Sequence, residues 1–439
     1  MSHAGEVIAR WFGQAGGELL VGGKRVSEIV AEAGTPSFVY DRDVLARKWQ
    51  LLRAALPDQF DLHYSVKANP AHDILEFFVN HGAGLEVASA GEIRRALRAG
   101  CPASRVSFAG PGKTDTELEL ALTEGVGEIH LESLREAERI AAIARRRDVT
   151  AGVAVRVNPE PETAGGAMRM GGKPAPFGVD EACLQGVVEH VQGEPAMALR
   201  GIHLYVGTQI LDHRTLLAQY RHGVEIARRV AGWCRRPLQT VNLGGGLGVP
   251  YFPGESEFDI ECFGRDVRTL ADDLRSDAAF AGTRFVLEPG RYLVAEAGIY
   301  VARVLDVKTS RGKRFVVLDG GMHHHLAASG NLGQVIKRNF PIAVLNKLDR
   351  KAHEEVDVVG PLCTPLDILG RGVLLPVVEE GDLVGVFQSG AYALSASPVR
   401  FLSRPAPAEV LVAGGATRVI RQREIEEERP FPGTTSGSR

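Results

Sequence analysis

Short apolar runs alternate with longer amphipathic runs between residues 35 and 285. For example, "DLHYSVK" precedes "AHDILEFFVNHG", "GLEVAS" precedes "AGEIRRALRAG", and "RVSFAG" precedes "TDTELELALTEG". The short runs are typical of buried strands and the long runs of amphipathic helices. Repeated strand–helix units predict a parallel sheet, and eight of them would close into a (β/α)8 TIM barrel. We expect the series to begin with "PSFVYD" and to include "LQTVNLGGG".

The pattern changes after residue 284. Segments such as "TRFVLEPGRYLVAEAGIYVARVLDVKTS" and "GDLVGVFQSGAYA" are rich in β-branched residues and separated by turns. They predict a second, C-terminal antiparallel β domain, to which the N-terminal "GGELLVGGKRVSEIV" could add a strand. We therefore expect a barrel over 35–284 and a β domain over 1–34 and 285–417. Residues 418–439, charged and then rich in Pro, Gly and Ser, are expected to be a disordered tail.

Composition narrows the function classes. The 439 residues exceed one typical domain, and 51 basic against 54 acidic side chains give a net charge of −3. This balance offers no basic surface for nucleic acid, and no apolar run is long enough for a membrane helix. The N-terminus lacks the features of a signal peptide. Five scattered cysteines without a C-x-x-C pair favour a reducing cytoplasm.

Lys67 is the first candidate for chemistry. It lies in "LHYSVKANP", where an alternating strand pattern ends before Asn69-Pro70. A lysine at a strand end is commonly a solvated rim residue. It can also be a pocket lysine that forms a Schiff base with a carbonyl group. Glu86, His203 and the turn Gly244–Gly246 also follow predicted strands, and the active site of a barrel lies at these strand ends.

Further candidates occur in four later segments. The three glycines of "NLGGGLGVPY" could bind an anion through backbone N–H groups, or form only a flexible turn. "LEPGRY" holds Glu288 and Arg291 around a Pro-Gly turn, which also suits a surface ion pair. "GPLCTPLD" offers Cys363, and "QSGAYALSAS" offers Tyr392. The triplet 323–325 is all histidine, but successive strand residues face opposite sides, so we expect no metal there.

In this order the segments resemble those of one family. The chain resembles the fold-type III, pyridoxal-phosphate-dependent decarboxylases, the diaminopimelate and ornithine decarboxylase group, from about residue 17 to 415. It is most similar to the exosortase A system-associated decarboxylases, through "SFAGPGK", "GMHHHLAASGN", "VGPLCTPLD" and "FQSGAYALSASP". The resemblance implies an alanine-racemase-like barrel with a β domain, pyridoxal 5'-phosphate (PLP) as cofactor, and a homodimer with shared active sites.

The resemblance also implies roles for single residues. Lys67 would bind the cofactor as a Schiff base, and Cys363 from the partner subunit would act near the substrate Cα. Glu288 would face the pyridine nitrogen and keep it protonated, which strengthens the electron sink and favours decarboxylation over racemisation. The remaining cofactor-binding candidates are Glu86, Arg156, His203, Tyr205, Gly244, Gly245, Gly246, Arg291 and Tyr392.

Some positions depart from the family pattern. Tyr205 stands where these decarboxylases usually have a histidine stacked on the cofactor, and Glu86 where they often have aspartate. The segment 321–331 lacks the Arg-x-x-x-Tyr of diaminopimelate decarboxylases, and Thr364 follows Cys363 in place of their glutamate. We therefore expect the substrate to be an amino acid other than meso-diaminopimelate, either free or tethered to a carrier protein. An amino-acid racemase or a non-catalytic PLP-binding protein are the alternatives.

Overall fold

The computed structural model describes residues 2–160, 174–205, 207–334 and 336–424. The chain divides into two compact units. The barrel unit comprises Arg42–Ala297 and Gly390–Ser395. The sheet unit comprises Met1–Asp41, Gly298–Ser389 and Ala396–Arg439.

Eight parallel strands form a closed barrel in the barrel unit. In chain order they are β1 (Phe60–Ser65), β2 (Gly84–Val87), β3 (Val106–Phe108), β4 (Glu128–Leu131), β5 (Ala151–Asn158), β6 (Met197–Leu204), β7 (Thr240–Asn242) and β8 (Arg284–Leu287). Each strand pairs with the next, and β8 pairs with β1 to close the ring. The predicted (β/α)8 barrel is confirmed. A further short strand, Val179–Asp180, pairs with the end of β5.

Helices surround the barrel. They are Arg42–Ala55, His72–Asn80, Ala90–Arg98, Asp115–Thr123, Leu134–Arg147, Leu184–Gly193, His213–Cys234, Ile260–Ser276 and Arg291–Val294. Several begin at a side chain that satisfies free backbone N–H groups. Thr114 and Glu117 form a capping box at one start, and Ser133 accepts a hydrogen bond from the N–H of Glu136 at another. These caps fix where the strand-to-helix loops end.

The interior of the barrel contains polar side chains as well as apolar ones. On β1, Tyr64 stacks against Phe78 of the adjacent helix, with ring centroids 4.3 Å apart. The next side chain back, His63, lies 3.2 Å from the hydroxyl of Ser107 on β3. Alternation along the strand therefore sends aromatic residues toward the helices and hydrogen-bonding residues toward the axis. Glu128, His130 and His203 are also buried.

The sheet unit contains most of the remaining strands. Its large sheet runs in the order Ile368–Leu375, Glu354–Val359, Lys313–Leu318, Gly298–Ser310, Ser37–Asp41, Ala408–Ala413 and Ala416–Arg421, with Leu383–Val386 pairing Gly298–Ser310 and Ile342–Val344. Three strands, Gly13–Ala15, Glu18–Val21 and Lys24–Arg25, form a small sheet of their own. The helices of this unit are His3–Trp11 and Val26–Ala33. No helix of the described residues is long and apolar enough to cross a membrane.

The structure differs from three expectations about the barrel and the large sheet. "PSFVYD" is not a barrel strand, because Ser37–Asp41 pairs with Gly298–Ser310 and Ala408–Ala413 in the sheet unit. The eighth barrel strand is instead β8, which begins at the expected barrel end, residue 284, and continues to Leu287. Two pairings of the large sheet are parallel, so it is not purely antiparallel.

The expected disordered tail is wrong at its start. Ala416–Arg421 pairs with Ala408–Ala413, because alternating residues of "ATRVIR" continue the sheet as a hairpin. Residues 425–439 lie outside the described residues.

Candidate active site

Lys67 follows β1 in a single 3-10 turn, Val66–Ala68. Its Nζ donates to both carboxylate oxygens of Glu86 on β2, at 2.9 and 3.0 Å. Glu86 is buried and also accepts a hydrogen bond from Ser65, its register partner across the two strands. Burial is the largest single effect and acts to lower the pKa of Lys67, but Glu86, Tyr392 and Glu288 together outweigh it and the pKa is raised. The side chain of Lys67 remains 41% exposed, so its amine is accessible.

The glycine turn after β7 is shaped by close backbone contacts. A Cβ at Gly244 would lie 2.4 Å from the carbonyl oxygen of Leu204, and one at Gly245 would lie 2.5 Å from that of Glu288. The N–H of Gly244 donates to Asn242 Oδ1 at 2.9 Å, so it is already used. Among the described residues, the N–H groups of Gly245 and Gly246 have no acceptor. Of the three backbone N–H groups predicted to bind an anion, those of Gly245 and Gly246 therefore remain available.

Arg291 lies between two tyrosine rings near this turn. Its Nη1 donates to the hydroxyl of Tyr251 at 3.1 Å, and its guanidinium lies 4.7 Å from the ring centroid of Tyr392. Its Nε is buried without a partner in the described chain. Tyr392 has a φ of 52° and donates its N–H to the carbonyl of Ala68, next to Lys67. An anion could accept a hydrogen bond from this free Nε.

Glu288 follows β8 and is held by two side chains. Asn242 Nδ2 donates to its Oε1 at 2.6 Å, and His203 Nε2 lies 3.2 Å from its Oε2. Burial acts to raise the pKa of Glu288, but His203, its hydrogen bond, His130 and Lys67 outweigh that effect and lower it. The carboxylate is therefore ionised at neutral pH, although it is buried.

Arg156 forms the other side of the site. Its Nη1 donates to Glu132 at 2.7 Å, and its guanidinium lies 5.8 Å from the ring centroid of Tyr205. Tyr205 is 37% exposed, and the amine of Lys67 lies 5.9 Å from its ring centroid. The aromatic ring of Tyr205 therefore lies beside two cations.

Cys363 and the histidine triplet belong to the sheet unit. Cys363 is exposed. The triplet lies in a turn and not on a strand, and all three rings are buried. His324 contacts Tyr300 and the carbonyl of Pro405, each at 3.0 Å, and His325 contacts Ser389 at 2.9 Å. Both ring nitrogens of His323 are buried without a partner among the described residues.

Several residues that touch these groups are not among those predicted from the sequence. They are Ser65, His130, Glu132, Asn242 and Tyr251. Four of them stand at strand ends already identified: "DLHYSVK" contains Ser65, "EIHLES" contains His130 and Glu132, and "VNLGGG" contains Asn242. The rule that selected Lys67 and Glu86 would have selected these too.

Residues 42–295 match the family model described as pyridoxal-dependent decarboxylase, pyridoxal binding domain. This match covers more than half of the chain and contains most of the residues of the site. The chain belongs to the pyridoxal-dependent decarboxylases. The expected family, enzyme class and PLP cofactor are confirmed.

The decarboxylase is similar to other proteins over nearly its whole length. It is 40% identical over 399 residues to the L-glutamyl-[BtrI acyl-carrier protein] decarboxylase of Niallia circulans, covering 90% of this chain and 92% of that protein. It is 33% identical over 426 residues to the diaminopimelate decarboxylase of Zymomonas mobilis, covering 95% and 97%. The crystal structure of diaminopimelate decarboxylase from M. jannaschii aligns with a TM-score of 0.87 at 25% identity, covering 95% and 96%.

The residues of the decarboxylase fit PLP. An accessible amine, two free backbone N–H groups, a guanidinium whose buried Nε is free and a buried carboxylate lie around the ends of β1, β7 and β8. They match an aldehyde, a phosphate and a pyridine nitrogen. When bound, PLP supplies the electron sink that stabilises the charge left at Cα when CO2 departs.

Proposed function

We propose that this decarboxylase removes the α-carboxylate of an amino acid whose side chain is tethered to a carrier protein or otherwise modified. The relative at 40% identity, whose name specifies a glutamyl group on a carrier protein, carries this proposal. The 40% identity to this relative, over 90% of the chain, exceeds the 33% identity to the diaminopimelate decarboxylase of Zymomonas mobilis.

The side chains available for the far end of the substrate support the same choice. A free diaminopimelate ends in a second zwitterionic centre, which needs charged partners. Segment 321–331 contains neither arginine nor tyrosine, and Thr364 follows Cys363. The histidines at 323–325 have lowered pKa values because they are buried, so they add no positive charge at neutral pH.

We assign roles in the barrel unit from the contacts described above. Lys67 holds the cofactor covalently, while Gly245 and Gly246 donate to its phosphate. Arg291, with Tyr392 beside it, adds positive charge for the phosphate or the substrate carboxylate. Glu288 accepts a hydrogen bond from the protonated ring nitrogen. In this proposal the barrel is the PLP-binding domain.

The opposite side of the cofactor ring is assigned to a separate group of residues. Glu86 orients the amine of Lys67, and Tyr205 covers one ring face. Arg156, fixed by Glu132, lies beside Tyr205. It would orient the cofactor on the side of its phenolic oxygen.

We further propose a cytoplasmic homodimer in which Cys363 completes the site of the partner subunit. The segment around Cys363 exposes apolar side chains: Leu332, Leu366, Phe401 and Leu402 are 42–50% exposed. Asn331 and Arg404 connect these segments through hydrogen bonds to the carbonyl groups of Leu366 and Pro361. An apolar surface of this kind is suited to a subunit interface.

Release of CO2 tests the substrate proposal. Carboxyl-labelled glutamate would be supplied free, as a pantetheine thioester and loaded on a carrier protein, beside free meso-diaminopimelate, ornithine and lysine. We expect kcat/KM for a carrier-bound substrate to exceed that for free meso-diaminopimelate by about 100-fold or more. Lys67→Ala protein gives the background rate. A preference for free meso-diaminopimelate would contradict the proposal.

A further inference from the structure

Two buried histidines stack behind Glu288 inside the barrel. His130 on β4 and His203 on β6 have ring centroids 4.1 Å apart and an interplanar angle of 18°. Each ring directs Nε2 to a different carboxylate: His203 lies 3.2 Å from Glu288, and His130 lies 3.0 Å from Glu128. The pair therefore joins the carboxylate of the active site to a second buried carboxylate in the barrel interior.

These contacts determine where the imidazole protons lie. An ionised carboxylate only accepts hydrogen bonds, so each Nε2 must carry a proton. The Nδ1 atoms of both rings are buried and have no hydrogen-bond partner in the described part of the chain. A second proton would create a buried charge without an acceptor, directly against the other ring. His203 is therefore a neutral Nε2–H tautomer.

The surroundings of His203 support this protonation state. Burial is the main cause that lowers its pKa to about 4, and the neighbouring His130 and the cation of Arg156 act in the same direction. Only the carboxylate of Glu288 opposes them. Arg156 and Asn242 are the register partners of His203 on the two neighbouring strands, so these groups share one layer of the barrel.

We propose that His203, supported by the stacked ring of His130, is a positioning residue that presents Glu288 to the cofactor as a fixed, fully charged acceptor. The inference rests on the proposed role of Glu288. A protonated His203 would form an ion pair and reduce the charge available to the ring nitrogen. A neutral donor fixes the carboxylate and leaves its charge intact. With Asn242 on Oε1 and His203 on Oε2, each oxygen keeps a lone pair for the cofactor.

Two replacements of His203 separate the hydrogen bond from the ring. His203→Phe keeps the shape and the stacking but removes the donor, whereas His203→Gln keeps an N–H group at a similar reach. We expect kcat to fall about 10- to 100-fold in His203→Phe, the order seen when an outer hydrogen-bond partner is removed. His203→Gln should recover most of this loss. Equal loss in both variants, or none in His203→Phe, would overturn the proposal.

A spectroscopic readout tests the same claim without turnover. In the full-length, cofactor-free protein labelled with 15N-histidine, His203 should show a neutral Nε2–H signal that does not titrate between pH 8 and 5.5. The 13C signal of the Glu288 carboxyl should titrate at higher pH in His203→Phe than in wild type, because a donor to the ionised form is lost. A charged His203 at pH 7, or an unshifted Glu288, would overturn the inference.

Glu288→Gln distinguishes this inference from the role on which it rests. If Glu288→Gln keeps the wild-type kcat, the proposed role of Glu288 is wrong, and that of His203 fails with it. If Glu288→Gln is inactive while His203→Phe keeps the wild-type kcat and leaves the Glu288 carboxyl unshifted, the role of Glu288 stands and only the inference about His203 is wrong.

Discussion

The amine of Lys67 and the carboxylate of Glu86 form a two-point contact between neighbouring barrel strands, with Nζ 3.0 Å from Oε1 and 2.9 Å from Oε2. Glu86 is 1% exposed, whereas the side chain of Lys67 is 41% exposed. The carboxylate is thus a fixed anchor that orients an accessible amine. It also favours the ammonium form of Lys67 and so opposes reaction with an aldehyde, which requires the neutral amine.

Replacing Glu86 by glutamine should accelerate attachment of PLP to the cofactor-free protein. Loss of the negative charge lowers the pKa of Lys67, and a decrease of one unit would raise the neutral fraction at pH 8 about tenfold. The measurement is the rate of covalent attachment from pH 7 to 10, with the profile of the variant displaced toward lower pH. Ser65→Ala removes a hydrogen bond to Glu86 but not its charge, so its profile should match wild type. A common profile for Glu86→Gln and wild type would show that Glu86 does not control the amine.

The identity of the reactive lysine can be tested directly. Borohydride reduction of the PLP-loaded protein should attach the cofactor to the peptide that contains Lys67, as read by mass spectrometry. Lys67→Ala should lose the near-visible absorption of the bound cofactor and fall to background activity. Lys113 offers a comparison, because its amine is buried and bonded to Glu136 and to the carbonyl groups of Gly110 and His130. Cofactor recovered on Lys113, or on any other lysine, would contradict the assignment.

The site could be predicted from the sequence where a residue directly ends a strand. Lys67, Glu86 and His203 were found because strand ends of a barrel converge at one face. Asn242 and Glu132 also lie at strand ends. They are harder to single out, because Asn242 precedes the glycines of "NLGGG" and Glu132 precedes Ser133, which caps a helix.

Other features depend on long-range contacts that no local pattern encodes. Nothing local distinguishes Ser37–Asp41 from a barrel strand, because its partners, Gly298–Ser310 and Ala408–Ala413, lie hundreds of residues away. The stacking of His130 on His203 likewise requires the closed barrel, which places β4 and β6 on either side of β5.

His323 should make the protein sensitive to acid. Burial, followed by the charge of Arg404, lowers its pKa to about 4, against roughly 6.5 in an unfolded chain. The unfolded state therefore binds the proton more readily, and stability decreases as the pH falls from about 6.5 to about 4. At pH 5 this loss of folding stability amounts to about 2 kcal/mol. The substitution His323→Leu should abolish the loss. It breaks no hydrogen bond, because neither ring nitrogen has a partner in the described chain.

Urea unfolding at pH 8 and pH 5 measures this effect. The loss of stability between the two pH values should be smaller in His323→Leu than in wild type. His72→Leu changes the same side chain at an exposed position and should keep the wild-type pH dependence. An equal loss in wild type and His323→Leu would mean that His323 does not remain neutral and buried.

Mixed dimers test whether Cys363 completes the site of the partner subunit. In the proposed homodimer, Lys67→Ala and Cys363→Ala proteins are each inactive, but a mixed dimer retains one site with both residues intact. Random exchange makes about half of the dimers mixed, so activity should recover to roughly a quarter of wild type. Cys183→Ala alters another exposed cysteine and should stay active alone, and a Lys67→Ala, Cys183→Ala double variant should still complement Cys363→Ala. Absence of recovery, after subunit exchange has been verified, would contradict this model. It would place Lys67 and Cys363 of one chain in the same site, because a mixed dimer would then have one site without Lys67 and one site without Cys363.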